Sequence, residues 1–216
     1  MPRWTSKSWA RPRAMVVPTR GFTGRSHEAR NSSLPPGQHE SSSWPVLAAE
    51  PTPRPDIASW TFGIEGLVEV PVTWTWDEIH SLPESTFVGD IHCVTTWSRL
   101  GMTFKGVLVD TLLAAAKPTK FASHIVAFSS TGYTTNLPLA DVLDGKALVV
   151  WEADGEPLAK EHGGPARMIV PHLYFWKSAK WVAGLRVLDH DEPGFWEVRG
   201  YHNYGDPWRE QRYAGD

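Results

Sequence analysis

The chain has 216 residues and a net charge of −3, with 41% hydrophobic and 21% charged residues, the balance of an ordinary globular protein rather than a disordered, collagen-like or coiled-coil chain. One cysteine, Cys93, excludes a disulfide framework and a paired-cysteine zinc knuckle, no apolar run approaches the length of a membrane helix, and the mild acidity argues against nucleic acid as the main partner. Twelve Trp in so short a chain imply large aromatic walls, in a β-rich core or around a ligand.

In chain order, residues 1–55 form a basic arm that is expected to be mostly extended. They hold eight Lys/Arg against three acids, whereas the remaining 161 residues carry a net charge of −8. Ser, Pro and Gly are frequent there, as in Ser32-Ser33-Leu34-Pro35-Pro36-Gly37, and apolar periodicity is weak. Nothing in the arm resembles an apolar export signal, so the cytoplasm is the expected location. Residues 56–216 read as one domain. Trp60–Val70 alternates as a half-buried strand stopped by Pro71, and Thr75-Trp76-Asp77-Glu78 fits a capping box opening a short helix. Phe87–Val94 reads as a strand with Cys93 near its end, leading into a Thr/Ser/Arg loop. Val107–Lys117 is expected to be a helix, His124–Phe128 a strand, Gly132–Leu137 a polar loop and Pro138–Leu143 a helical turn. Ala147–Ala153 is a strand before an Asp154-Gly155 turn, and Met168–Val170 and Trp181–Leu188 are further strands. Strands and short helices without a regular βαβ repeat indicate an α+β domain with mixed β-sheets.

Five segments carry residues suited to chemistry. Cys93 in a strand reads as a small buried hydrophobe, but His92 and Arg99 nearby would favour its thiolate, a nucleophile or soft-metal ligand. His162-Gly163-Gly164-Pro165-Ala166-Arg167 places two bases around a tight turn, either an anion grip or a solvated loop. Ser178 and Lys180 lie among aromatics in Tyr174–Trp181, as part of an anion site or as a surface strand whose lysines cover rings. Ser130 and Asn136 belong to a run of neutral hydrogen-bonding groups, and Tyr201 stands beside His202 near the end of the chain. Scattered histidines without HExxH speak against zinc, and GxSxG, Walker A and GxGxxG are missing.

Taken in order, Asp90-Ile91-His92-Cys93-Val94-Thr95-Thr96-Trp97-Ser98, Gly132-Tyr133-Thr134-Thr135-Asn136, the His162–Arg167 loop, Lys177-Ser178-Ala179-Lys180-Trp181 and Gly200-Tyr201 resemble the sulfite-oxidase-type molybdopterin oxidoreductases. The resemblance spans about residues 60–213 and is strongest to the short bacterial branch related to the catalytic subunit of protein-methionine-sulfoxide reductase. It implies a single sulfite-oxidase-like molybdopterin-binding domain and a molybdenum–molybdopterin cofactor. Cys93 is then the molybdenum ligand and Tyr201 the active-site tyrosine. Ser130 or a neighbour, Asn136, His162, Arg167, Ser178 and Lys180 are the cofactor-binding set, His162 and Arg167 toward the phosphate. The implied reaction is two-electron oxygen-atom transfer on a small sulfur substrate, of sulfite or sulfoxide type, with electrons exchanged through a separate redox partner protein. Two features depart from the sulfite oxidases. No Lys or Arg lies between Arg54 and Arg99, which weakens sulfite as substrate. A chain ending at residue 216 has no room for the immunoglobulin-like dimerisation domain of the longer enzymes. Two other readings remain open at this point: a non-catalytic Trp-rich ligand-binding module with Cys93 as a structural thiol, and a cysteine-dependent enzyme without metal.

Overall fold

The structure is a computed structural model that describes residues 34–216. Eleven strands make two sheets. The strands are β1 (His39–Glu40), β2 (Thr61–Gly66), β3 (Val72–Thr75), β4 (Ser85–His92), β5 (Trp97–Leu108), β6 (His124–Ser129), β7 (Thr134–Pro138), β8 (Leu148–Ala153), β9 (Glu156–Pro157), β10 (Arg167–Ile169) and β11 (Val182–Leu188). The helices are α1 (Trp76–His80) and α2 (Val109–Ala116), supplemented by short 3-10 turns. One sheet runs β1-β5-β8-β10, with β4 on β5 and β9 on β8; the other runs β3-β2-β11-β6-β7. Both are mixed, since β1 is parallel to β5 and β2 is parallel to β11. This is the α+β architecture that the sequence predicts.

Local chemistry sets these elements. In β2 the alternation buries Phe62 and Ile64, and β8 begins with four consecutive buried residues, as a strand covered on both faces should. The capping box of α1 forms: the Glu78 carboxylate accepts the Thr75 N–H at 2.8 Å and the Glu78 N–H reaches the Thr75 hydroxyl at 3.4 Å. A Cβ on Gly106 would lie 2.1 Å from the Val149 carbonyl oxygen, so the close β5–β8 contact requires glycine there.

Three expectations need correction. The helix expected from residue 107 starts at Val109, because Val107 and Leu108 still pair with Val149 and Leu148 of β8. The polar loop expected over residues 132–137 is largely strand β7: Thr134 to Leu137 pair with β6 and bury Thr135, Asn136 and Leu137. The Thr/Ser/Arg loop expected after Cys93 is a tight turn into the twelve-residue β5. Nor does the compositional boundary at residue 55 coincide with a break in packing. His39 and Glu40 pair with Trp97 and Ser98, Gln38 donates to the Cys93 carbonyl at 3.1 Å, and Trp44 stacks on His162 with centroids 3.9 Å apart. Residues 1–33 of that arm lie outside the described residues.

Two apolar clusters hold the sheets. The larger joins Phe62, Ile64, α2 and the inner faces of β6, β8 and β11. The smaller gathers Ile91, Met102 and Phe104 and ends at Cys93 and Trp97. The cysteine therefore stands where the second core gives way to a cavity.

Candidate active site

Cys93 follows the last residue of β4. Its N–H donates to the Trp97 carbonyl at 2.9 Å and its carbonyl accepts the Thr96 N–H at 3.0 Å, closing the β4–β5 turn. Thr96 sits at φ 76°, a left-handed conformation uncommon for a β-branched residue. The residue is 8% exposed, with its sulfur 3.1 Å from the Thr95 hydroxyl. Burial pushes the thiol pKa up, while the Thr95 hydroxyl and the Arg212 guanidinium act the other way.

Cys93 opens onto a cavity of about 320 Å³. Its walls are aromatic, with Trp44, Trp97, Phe175, Trp176, Trp196 and Tyr201 among them. Among the described residues, the charged ones lining it are Arg167, Lys180 and Glu50, and Ser178 supplies a hydroxyl. The Ser178 Oγ accepts the Val170 N–H at 2.9 Å and keeps its own proton to donate.

Arg167, at the start of β10, is 1% exposed. Its guanidinium donates to the carbonyls of His162 at 2.8 Å and Ser178 at 2.9 Å and stacks 4.1 Å from the Phe175 ring centroid. Lys180 Nζ donates to the carbonyls of Leu47 at 2.6 Å and Glu161 at 2.7 Å. Among the described residues neither cation has a carboxylate within ion-pair distance. Burial lowers the Arg167 pKa to about 9, and burial with repulsion from Arg167 lowers that of Lys180 to about 8. His162 is pushed down to about 4 by burial and by the same two cations, so its ring is neutral at pH 7. Such uncompensated buried charge is costly unless an anion completes it. The loop that brings the three together needs Gly164, where a Cβ would lie 2.2 Å from the Leu158 carbonyl oxygen.

Cys93, Arg167, Ser178, Lys180 and Tyr201 thus meet at one cavity. A Cys93 thiolate would act to raise the pKa of Tyr201, and that of Lys180 against its net lowering, so both groups lie near the sulfur. His162 stands behind the wall, stacked on Trp44. The structure does not bring Ser130 or Asn136 to the cavity. Ser130 is exposed and its N–H donates to the Trp181 carbonyl at 3.0 Å, while Tyr133 of the same run lines the cavity instead. Asn136 is buried in β7 and bonded to Lys177, Asp191 and Asn203. Sequence reasoning missed Trp44 and Glu50, because the arm shows no periodicity, and Arg212, because nothing local ties it to a cysteine far back in the chain. Arg212 donates to the carbonyls of Val94 and Pro36, at 2.5 and 3.3 Å.

The cavity suits a molybdopterin. Among the described residues, Trp97 Nε1 and a Glu50 carboxylate oxygen are buried without a partner, one a donor and the other an acceptor on the wall of the same cavity. A pterin edge presents both kinds of group. Arg167 and Lys180 suit its phosphate, and a buried thiol suits a soft metal.

Comparison with known proteins agrees. The family model of the oxidoreductase molybdopterin-binding domain matches residues 49–196. The chain belongs to this family. The uncharacterized oxidoreductase YuiH of Bacillus subtilis is 39% identical over 197 residues, 90% of this chain and 100% of that one. A putative protein-methionine-sulfoxide reductase subunit, YedZ1 of Azospira oryzae, is 29% identical over 69% of this chain and 57% of its own length. The protein-methionine-sulfoxide reductase catalytic subunit MsrP of Gluconobacter oxydans is 29% identical over 68% of this chain and 52% of its own. The chain therefore spans all of the first relative and little more than half of the other two. Among solved structures, the sulfane dehydrogenase SoxCD of Paracoccus pantotrophus shares the fold, with a TM-score of 0.60 and 24% identity, over 65% of this chain and 41% of that one. As a member of the molybdopterin-binding oxidoreductase domain family, of the sulfite oxidase type, the protein is a molybdenum-dependent oxidoreductase with molybdopterin as its cofactor. That sets aside the readings as an inert ligand-binding module and as a metal-free cysteine enzyme.

Proposed function

We propose that the protein catalyses two-electron oxygen-atom transfer on a small neutral sulfur substrate of the sulfoxide type, with electrons exchanged through a separate carrier protein. The charge of the cavity supports this reading. Arg167 and Lys180 adjoin each other and would be matched by the phosphate of the cofactor, which leaves Glu50 as the remaining charged wall residue among the described residues. A negative wall disfavours sulfite and tolerates a neutral oxide. The names of two relatives, which are protein-methionine-sulfoxide reductase subunits, point the same way.

The bound molybdenum–molybdopterin supplies the redox chemistry and the oxygen-atom exchange. The residues of the chain bind and orient. Cys93 would hold the metal through its sulfur as the thiolate. Arg167 and Lys180 grip the phosphate, and Ser178 donates beside them. The Tyr201 phenol, whose pKa burial raises, stays protonated at neutral pH and can donate to the oxygen of a bound substrate. Aromatic walls exclude water from the reacting atoms.

The test is an assay of holoenzyme from a host that makes the cofactor. With a reduced viologen as electron donor, turnover of methionine sulfoxide or dimethyl sulfoxide, with no sulfite oxidation, is expected. Sulfite oxidation without sulfoxide turnover would refute the assignment.

A further inference from the structure

Behind the cavity wall lies a buried ion pair that this chemistry does not use. Lys177 Nζ and Glu197 Oε1 are 2.6 Å apart, with side chains 1% and 2% exposed. The other lysine donors go to the Asn136 carbonyl and side-chain oxygens, both at 2.9 Å, so its three protons are all placed. The same Glu197 oxygen accepts the Trp176 indole N–H at 2.9 Å. Asn136 in turn donates to Asp191 at 2.6 Å and to Asn203 at 2.9 Å. One network thus joins β7, the 3-10 turn Phe175–Lys177 and the 3-10 turn Glu197–Arg199.

Both ends of that network reach Tyr201. Trp176 packs edge-on against the Tyr201 ring with centroids 5.2 Å apart. Trp196, the neighbour of Glu197, also packs on the Tyr201 ring, with centroids 4.7 Å apart, and its carbonyl accepts the Tyr201 N–H at 3.1 Å. Trp176, Trp196 and Tyr201 all line the cavity that Cys93 opens onto. These two rings in contact with the phenol are therefore both tied to Glu197, one through its indole N–H and the other through the adjoining backbone. Apolar residues of similar volume often hold such a region together as well as a buried ion pair does, so packing stability alone does not account for the pair.

We propose that the Lys177–Glu197 pair is a positioning device that fixes the Trp176–Trp196 slot and, through it, the Tyr201 phenol. Its kinetic side rests on the reading that Tyr201 takes part in turnover. The principal variant is Lys177→Met/Glu197→Leu, which removes both charges together and leaves no buried ion unpaired. Measured as holoenzyme, it is expected to keep its molybdenum per chain while turnover per molybdenum falls by about tenfold or more, the effect of a displaced reacting group. Adding Tyr201→Phe to it should cause no further fall, because the two changes remove one function. Multiplying effects, unchanged turnover, or a loss of molybdenum in proportion to activity would overturn the proposal. A crystal structure of the double variant gives a readout independent of turnover: displaced Trp176 and Tyr201 rings uphold positioning, and unmoved rings overturn it. If Tyr201→Phe alone leaves turnover unchanged, the catalytic reading of Tyr201 fails, and the ring positions still decide the structural one. Should the double variant not fold, Glu197→Gln, which keeps shape and loses charge, is judged by the same measurements.

Discussion

Replacing Arg167 with methionine separates binding of the cofactor from stability of the fold. The guanidinium is buried, and its two good hydrogen bonds, at 2.8 and 2.9 Å, go to carbonyls rather than to a carboxylate. Hydrogen bonds to a charged group contribute about 1.5–3 kcal/mol. Losing the contact to the phosphate should then weaken retention of the cofactor by roughly 10- to 100-fold, at about 1.4 kcal/mol per tenfold. The apoprotein loses the two carbonyl contacts and the stacking on Phe175 but is relieved of a buried cation whose pKa burial has already pulled down to about 9. These changes oppose each other, so a net effect of about 1–2 kcal/mol is expected, a shift of under about 8 °C in Tm for a domain of this size. The assay is molybdenum per chain by elemental mass spectrometry on protein from a cofactor-making host, paired with melting of apoprotein from a host that lacks the cofactor. Equal metal content in variant and parent refutes the phosphate role. A collapse of the apoprotein melt would show that Arg167 is structural.

Cys93→Ser should abolish turnover and change the visible spectrum of the metal centre with the melt of the apoprotein little altered; retained activity would remove Cys93 as ligand. Lys180, whose ordinary pKa of 10.5 is lowered to about 8, is charged below pH 8 and neutral above it. Binding of inorganic phosphate to the apoprotein should therefore be present at pH 7 and weaken as pH rises through 8, by titration calorimetry, and affinity that stays flat to pH 9.5 would exclude Lys180. The sign for stability is opposite: burying the lysine costs stability below pH 8, and the cost is relieved between 8 and 10.5, where the unfolded chain still binds the proton. Deleting residues 1–33 should leave molybdenum content at the parent level, whereas deleting 1–55 removes β1, Trp44 and the Leu47 carbonyl that holds Lys180 and should lose most of it. Equal metal content in the two deletions would show that the 34–55 segment does not build the site.

Local chemistry made much of the fold legible. The Thr75–Glu78 capping box, the alternation of β2, the apolar run of β8 and the Asp154-Gly155 turn each follow from interactions within a few residues of one another. The resemblance to the sulfite-oxidase-type enzymes singled out Cys93, Arg167, Ser178, Lys180 and Tyr201, and the fold gathers these five at one cavity. Long-range pairing decided the rest. Residues 134–137 are polar and look like a loop, yet β6 supplies the partners that make them a strand, and Asn136 is drawn into the Lys177 network instead of the cavity. Residues 34–50 carry no periodic signal, because their order comes from β5, His162 and Lys180 rather than from their own side chains. Sequence alone determined which chemical groups the site has and in what order. Only the tertiary structure decided which of them share a cavity, since the distances that matter there separate atoms contributed by segments far apart in the chain.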